Sequence, residues 1–458
     1  MDNRVRIAIV GTGKFYQKYV NRFMDCNLVA LFDNSAQKQG SVLDGFRIEP
    51  VERIINYSYE YVAVLVNDSE KIVNQLTELG VNKDKIITCN PSGKFSEFRK
   101  VKSLFTKNQN ADVLLISHEM NLRGAPLMLY ELGVILKELG ISIEVASVQK
   151  GDLLQYYKNQ DINVLTYDDF NFSDTEITNY FGKYKLVIAN TLALSSLVND
   201  LVNANINVTW WLHEEWSAYD ILKPSSGYDW GKNNLRVFAV GNRAISAFYD
   251  FYGDNKTVEN FQWGIPERCK DYTTPHDKVV FAIIGEVIYI KGQDLLFDIS
   301  NNLDEELLNK VEFWVIGKIN EDYQEKLNAL ANVKVLGEID HDDLLELFSS
   351  IDVVLSLSRN DTMPVVLVEG MMEKKIIMTS TGTGVADYID NHVNGIVFQS
   401  ENILQLCDEI RWILHNADMW DSLRNNAFQL YLNNFSVEHF KKEVKEKIII
   451  PFGLGIDE

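Results

Sequence analysis

The sequence predicts an α/β protein made of three Rossmann-like units. Short, nearly continuous apolar runs recur at Val5–Val10, Val113–Ser117 and Val279–Gly285, and strands of that kind belong to parallel sheets covered on both faces. Each run ends in a polar or glycine turn and leads into an amphipathic stretch, the order of a strand–loop–helix unit. The composition agrees. With 458 residues, 46% hydrophobic and 24% charged, the chain is an ordinary globular one of two or three domains, not a disordered or collagen-like one.

The expected domains are 1–92, an accessory Rossmann-like unit; 93–109, a basic linker; 110–268 and 269–435, two further units; and 436–458, a terminal helix and tail. The units share an architecture but no visible sequence repeat. A net charge of −21 argues against a general nucleic-acid binder, which needs basic surface to neutralise phosphates. Cys26, Cys89, Cys269 and Cys407 are far apart and form no CxxC, so no zinc or disulfide framework is expected, and a reducing compartment fits. The first apolar run reads as a buried strand and not as a signal peptide. No run approaches the ~18–20 residues that span a bilayer. The expected location is cytoplasmic, with contact at the inner membrane surface as an open alternative.

In the first unit, Gly11-Thr12-Gly13 follows a strand, and Asp33 ends a second strand about twenty residues on. Gly11, Gly13 and Asp33 are therefore candidate nucleotide contacts. Tyr16 stands where the fingerprint has its third glycine, so the helix is expected to be crowded against its strand or to cross it differently. The alternative to nucleotide binding is a Rossmann-like domain whose glycines serve only a tight turn. The segment resembles small Rossmann-like domains fused to bacterial sugar-modifying enzymes.

In the second unit, Gly124 lies between the strand Val113–Ser117 and a helix predicted over Leu127–Leu139, with Pro126 in its first turn. A glycine there lets backbone N–H groups approach a ligand at the helix N-terminus. The strand Val208–Leu212 ends in His213-Glu214-Glu215. Strand ends are where open α/β sheets place ligands.

The third unit carries three strand-to-helix loops. Gly285 ends the first strand, and Lys291-Gly292 precedes a helix from Leu295. A lysine there adds a full charge to the helix's partial positive end, which suits a diphosphate. Arg359-Asn360-Asp361-Thr362-Met363 follows a second strand, with Pro364 as first residue of the helix Val365–Met372, which carries Glu369. Thr381-Gly382-Thr383-Gly384 follows a third strand as an expected phosphate-binding loop.

These residues carry a resemblance. Residues 112–435 look like a family-4 glycosyltransferase of the GT-B architecture, two facing Rossmann-like domains with a final helix crossing back. The matching features are Gly124, His213, the Lys291-Gly292 pair, and two acids, Asp361 and Glu369, with seven residues between them. The resemblance implies a retaining, metal-independent transferase without cofactor. It would move sugar from a nucleotide-diphosphate donor to a glycan, protein or lipid-linked acceptor in bacterial surface-glycan assembly. Glu369 would take the ribose hydroxyls and Asp361 would face the sugar. Lys291, Gly285, Gly292, Gly124, Thr362, Met363, Val365, Thr381 and Gly382 would line the donor site. His213 would orient donor sugar or acceptor. No protein base is implied, since the leaving phosphate takes the acceptor's proton.

Two departures stand out. The first acid is aspartate, where the family usually has glutamate. The arginine that often precedes the lysine is absent, and Glu286 follows Gly285. Arg359 is the expected substitute, or Lys291 carries the charge alone. Asp340-His341-Asp342 has the form of a metal-binding DxD, but its position before a helix at Leu344 makes Asp340 or Asp342 an N-cap. In the linker, Phe95, Phe98, Val101 and Phe105 alternate with Lys94, Arg99, Lys100 and Lys102 at roughly helical spacing. That segment is either a packed linker helix or a membrane-surface helix across 94–107. The competing functional readings are another enzyme on the same architecture, such as a phosphorylase or epimerase, and a non-catalytic nucleotide-sugar-binding subunit.

Overall fold

The computed structural model describes residues 6–23, 26–66, 68–89, 95–96, 102–103, 111–122, 124–167, 180–268 and 277–455. The chain divides into two compact units, Met1–Val101 and Lys102–Glu458.

The first unit is a seven-stranded sheet in the order Val42–Leu43, Phe46–Glu49, Asn27–Phe32, Arg6–Val10, Tyr61–Val64, Ile86–Cys89 and Phe95–Ser96. The five inner strands run parallel, and the outermost on each edge is antiparallel. Two apolar layers cover its faces, one around Ile7, Ile9 and Leu31, the other around Ala8, Val10 and Phe32. Alternate residues of one strand feed opposite layers, which is why the run is apolar throughout.

The second unit holds two sheets. The larger has eight strands: Glu259–Asn260, Leu235–Ala239, Val208–Leu212, Leu186–Asn190, Val113–Ser117, Ile143–Ser147, Asn163–Thr166 and Lys102–Ser103. All run parallel except the last. The smaller has six parallel strands in the order Val333–Gly337, Val311–Ile316, Val279–Ile284, Val353–Ser356, Ile376–Ser380 and Ile396–Phe398. The strand order reverses beside Val113–Ser117 in one sheet and beside Val279–Ile284 in the other. Such switch points open a crevice at the carboxyl ends of the strands.

The expected linker 93–109 is corrected where it is described. Phe95–Ser96 pairs with Thr88 and Cys89, and Lys102–Ser103 pairs with Leu165 and Thr166, so each joins a sheet edge as a strand. Backbone pairing at an open edge overrides the helical spacing of the apolar residues there. The rest of the expected membrane-surface segment, and residues 269–276 of the second joint, lie outside the described residues. Among the described residues, no helix is long and apolar enough to cross a membrane.

The chain crosses back to the larger sheet near its end. Ser436 caps the helix Val437–Val444, its hydroxyl accepting the His439 N–H. Ile265 donates to the Phe435 carbonyl at 2.8 Å, and the Tyr431 hydroxyl donates to the Ile265 carbonyl at 2.9 Å. Phe440 packs on Trp211 and Phe261. The two segments touch so closely that a Cβ on Gly264 would lie 2.3 Å from the Ser436 carbonyl oxygen. Gly264→Ala is therefore expected to destabilise the second unit by about 1–3 kcal/mol, the usual range for overpacking. Thermal melting checks this, and an unchanged midpoint would show that the crossing yields without strain.

Candidate active site

Lys291 ends the short turn Tyr289–Lys291, and Gly292 turns the chain with φ +76°. A Cβ at Gly292 would stand 2.2 Å from the Leu357 carbonyl oxygen, so only glycine fits. That turn aims Lys291 along the crevice, where its ammonium forms an ion pair with Asp361. Gly285 directly follows the strand before it, with φ +142°. The cavity beneath them encloses about 270 Å³ and is lined by Gly285, Lys291, Gln293, Ser358 and Asp361, with Gly124 opposite. Gln293 is a functional candidate that the sequence pattern does not reveal. Its amide donates to the Glu286 carbonyl at 3.2 Å, while its buried Oε1 has no partner among the described residues. Nothing in its sequence neighbourhood signals this, since the orphan oxygen is a product of packing.

Asp361 is clamped through its backbone. Its N–H donates to the Gly382 carbonyl at 2.9 Å, and its carbonyl accepts the Gly384 N–H at 3.0 Å. Glycine is required at both places, because a Cβ would meet the Ser358 oxygen at 2.3 Å and the Thr362 oxygen at 1.9 Å. This corrects the expected phosphate-binding role of Thr381–Gly384. The Thr381 N–H is taken by Phe398, and those of Gly382 and Thr383 by Ser380. The loop's donors are engaged within the chain, so the loop serves to hold the acid.

Arg359 is likewise placed elsewhere. Its guanidinium makes two bonds to Asp294, at 2.8 and 2.7 Å, a third to Glu401, and lies 4.0 Å over the Tyr289 ring. Its hydrogen bonds to Asp294, followed by those to Glu401, hold its pKa above the ordinary value. The bidentate pair fixes the guanidinium away from Lys291. Among the described residues that line the two cavities at the crevice, Lys291 is the one lysine or arginine. Pro364 sits at the N-cap, one residue before the helix Val365–Met372 starts.

A second cavity of about 260 Å³ shares Gly124, Asp361, Met363 and Val365 with the first, and adds Thr362, His118, Thr191, His213, Glu214 and Trp263. Gly124 opens the helix Gly124–Glu138, and a Cβ there would find only Val365 at 3.9 Å. His213 packs on the Trp211 ring at 4.6 Å. Its Nε2 is buried with no partner among the described residues. Burial first, and then neighbouring His118, push the imidazole down to about 3, so it is neutral near pH 7. Glu214 accepts the N–H groups of Leu192 and His213, each at 2.9 Å, tying two strand-end loops together. Burial pushes it up to about 7 despite those bonds.

Thr191 is a backbone outlier beside them. It is β-branched, yet it has φ +89° and ψ 159°, a region almost reserved for glycine that costs about 1–3 kcal/mol. The Trp210 indole N–H donates to its carbonyl, its own N–H donates to the Trp211 carbonyl, and its hydroxyl bonds His118 Nδ1 at 2.9 Å.

The two acids do not converge. Asp361 lines both crevice cavities, whereas Glu369 lines a third of about 420 Å³, together with Glu131, Arg268 and His341. Val365 borders all three. Glu369 is buried and bonds His341 Nε2 at 2.7 Å. Glu369 stands four residues after Val365, on the same face of the helix, and Val365 borders that third cavity beside it. Asp340 occupies the N-cap of the helix His341–Leu347, but its side chain makes no cap bond. Among the described residues no group of three acids, histidines or cysteines is placed to hold a metal ion.

In the first unit, Asp33 accepts from the Thr12 N–H at 2.9 Å, the Thr12 hydroxyl at 2.6 Å, the Ser35 N–H and Lys38, each at 2.9 Å. Burial opposes its charge, but these bonds win and hold the carboxyl down at about 2. The candidate nucleotide contact Asp33 is thus engaged by the chain itself. Gly11, with φ +99°, is demanded by the Leu65 carbonyl, which a Cβ would meet at 2.7 Å, and Gly13 lies beside Lys38. Tyr16 does not crowd the strand. Its ring enters the core and its hydroxyl donates to Asp44 at 2.7 Å.

Comparison with known proteins places this geometry. Residues 265–430 match the family model of glycosyl transferases group 1, residues 109–226 that of glycosyl-transferase family 4, and residues 3–87 a C2185-like N-terminal domain. The capsular polysaccharide biosynthesis glycosyltransferase CapH of Staphylococcus aureus is 25% identical over 153 residues, 32% of this chain and 42% of that protein. The match thus spans less than half of that relative. Among solved structures, Anabaena HepE in complex with UDP and glucose aligns with TM-score 0.60 and 17% identity, over 74% of this chain and 99% of that one. WaaG, a glycosyltransferase involved in lipopolysaccharide biosynthesis, aligns with TM-score 0.56 and 15% identity, over 73% and 99%. These likenesses are of fold, and the fold is GT-B.

Glu131, in the third cavity, provides a pH test. Burial pushes its carboxyl from 4.5 up to about 7, with Arg268 pulling partly back. The native state then holds a proton that the unfolded chain releases, so this group's contribution is full below about 4.5 and is lost as pH rises through about 7. Glu131→Gln should flatten the fall in melting temperature between about pH 5 and about pH 8. An identical slope in the variant would refute the assignment.

Proposed function

We propose that this chain, a glycosyltransferase of the family-4 type with the GT-B fold, moves a sugar with retention of configuration, and without a metal, from a nucleotide-diphosphate sugar to a glycan, protein or lipid-linked acceptor. The single observation that carries this reading is the meeting of Lys291 and Asp361 from one half with Gly124 and His213 from the other, around two cavities that share a wall. A UDP-sugar is the proposed donor, by likeness to HepE, whose structure contains UDP and glucose.

In this reading the diphosphate takes the Lys291 ammonium and displaces Asp361, which is then left facing the sugar. The C1–phosphate bond breaks as the bond from C1 to the acceptor oxygen forms on the same face. The acceptor's proton passes to the leaving phosphate oxygen. His213, neutral and held against Trp211, orients the sugar or the incoming hydroxyl. Glu369 takes the ribose from the adjoining cavity once His341 gives way. Lys291 is the principal charge opposing the leaving group, and a positioned electrostatic contact of this kind is typically worth about 10²–10³ in rate.

A second reading, a non-catalytic nucleotide-sugar-binding subunit, is favoured by one observation. With Arg359 and the glycine loop engaged elsewhere, Lys291 is the one cation among the described residues of that cavity left to oppose the diphosphate charge. Nucleotide release by the purified chain decides between the two.

Lys291→Ala should lower kcat by about 10²–10³, measured as nucleotide release from a panel of nucleotide sugars. Near-normal turnover would remove the phosphate assignment. Activity should survive EDTA, and the product's anomeric proton should show the donor's configuration by NMR. Strict dependence on Mn²⁺, or inversion, would overturn those parts of the reading.

A further inference from the structure

Thr191 and His118 are not explained by donor binding. They sit on the larger sheet, at the carboxyl ends of Leu186–Asn190 and Val113–Ser117, and line the cavity that also holds the unpartnered His213 Nε2. Hydrogen bonds on both sides of the Thr191 backbone support its unfavourable conformation. The Trp210 indole holds its carbonyl, Trp211 takes its N–H, and Glu214 takes the N–H of Leu192. A glycine would sit there without strain, so the threonine side chain is what the site retains. Among the described residues that side chain makes one bond, to His118 Nδ1 at 2.9 Å.

With Nδ1 tied, the His118 ring is fixed in orientation. Its Nε2 stands 3.6 Å from Glu119, beyond hydrogen-bond reach, and so is available to a ligand. Trp263 lines the same cavity from within the core, where it packs on Phe435. Asp361, from the smaller sheet, lies across the cavity.

We infer that His118 binds a hydroxyl of a sugar acceptor, and that Thr191 is the positioning residue that orients its ring through the Thr191 Oγ1–His118 Nδ1 bond. This deepens the glycosyltransferase reading and rests on it. The cavity then divides its work. His213 and Asp361 border the donor sugar, and His118 sets the incoming ring.

The test uses the full chain with UDP-glucose as donor. Octyl β-glucoside, octyl β-galactoside and octyl N-acetyl-β-glucosaminide serve as probe acceptors. His118→Ala and Thr191→Val are expected to raise the KM of the accepted probe tenfold or more, while the KM for UDP-glucose stays within twofold. Thr191→Ser, which keeps the hydroxyl, should restore the acceptor KM to within threefold. Equal loss toward donor and acceptor would place His118 in the donor site and overturn the inference. No change in the acceptor KM, or no rescue by Thr191→Ser, would reduce the pair to a structural role and overturn it as well. Nucleotide release to water without transfer to any probe would reject a sugar hydroxyl as the ligand. Failure of the wild-type chain to release nucleotide from any member of a nucleotide-sugar panel would instead sink the underlying transferase reading.

Discussion

A parallel strand buried on both faces has no side chain to spare for chemistry, and that constraint organises the whole molecule. In Val113–Ser117, Val208–Leu212 and Ile376–Ser380 every residue is buried. Polar function is therefore confined to the loops beyond the carboxyl end of each strand. Lys291, Asp361, Thr191 and His213 all occupy such places. The helix crossing back at Ser436 matters because it ties the terminal segment of the smaller sheet's half to the larger sheet. Strand ends on two separate sheets can define one cavity only if the halves are held against each other.

In and around that crevice the ionisable side chains are engaged with one another. Lys291 holds Asp361 in the crevice, Arg359 holds Asp294 and Glu401 outside it, and Glu369 hydrogen-bonds His341 in the adjoining cavity. Leaving a partly buried charge uncompensated would cost several kcal/mol, so pairing within the chain is the lower-energy arrangement. In the proposed function a diphosphate would exchange one partner for another, and at Lys291 the exchange would favour the ligand, because a diphosphate brings more charge than one carboxylate.

Much of this was legible in the sequence, and the exceptions share a cause. Apolar runs located the sheets, because burial on two faces leaves an unbroken pattern. Ser436 was legible as a cap and Lys291-Gly292 as a turn into a helix. The Thr381–Gly384 loop was misread, because glycine spacing shows that N–H groups are accessible but not what takes them. Here the chain's own carbonyls and Ser380 do. Arg359 failed in the same way, since its partners lie 65 and 42 residues away in the chain. Thr191 gave no signal at all. Its importance lies in a dihedral angle imposed by two buried tryptophans and a glutamate from the neighbouring strand's end.

Under the proposed function, the clamp on Asp361 also accounts for how a short acid would serve here. Aspartate reaches one methylene less far than glutamate, so its carboxylate position follows the backbone more closely. Gly382 and Gly384 grip that backbone from both sides, at distances no other residue would allow. A longer acid would carry more rotamer freedom and would gain less from so tight a support. The aspartate and the two glycines form one device, in which backbone placement does what side-chain length does elsewhere. The glycine spacing that suggests a phosphate loop is thus explained by the acid it holds.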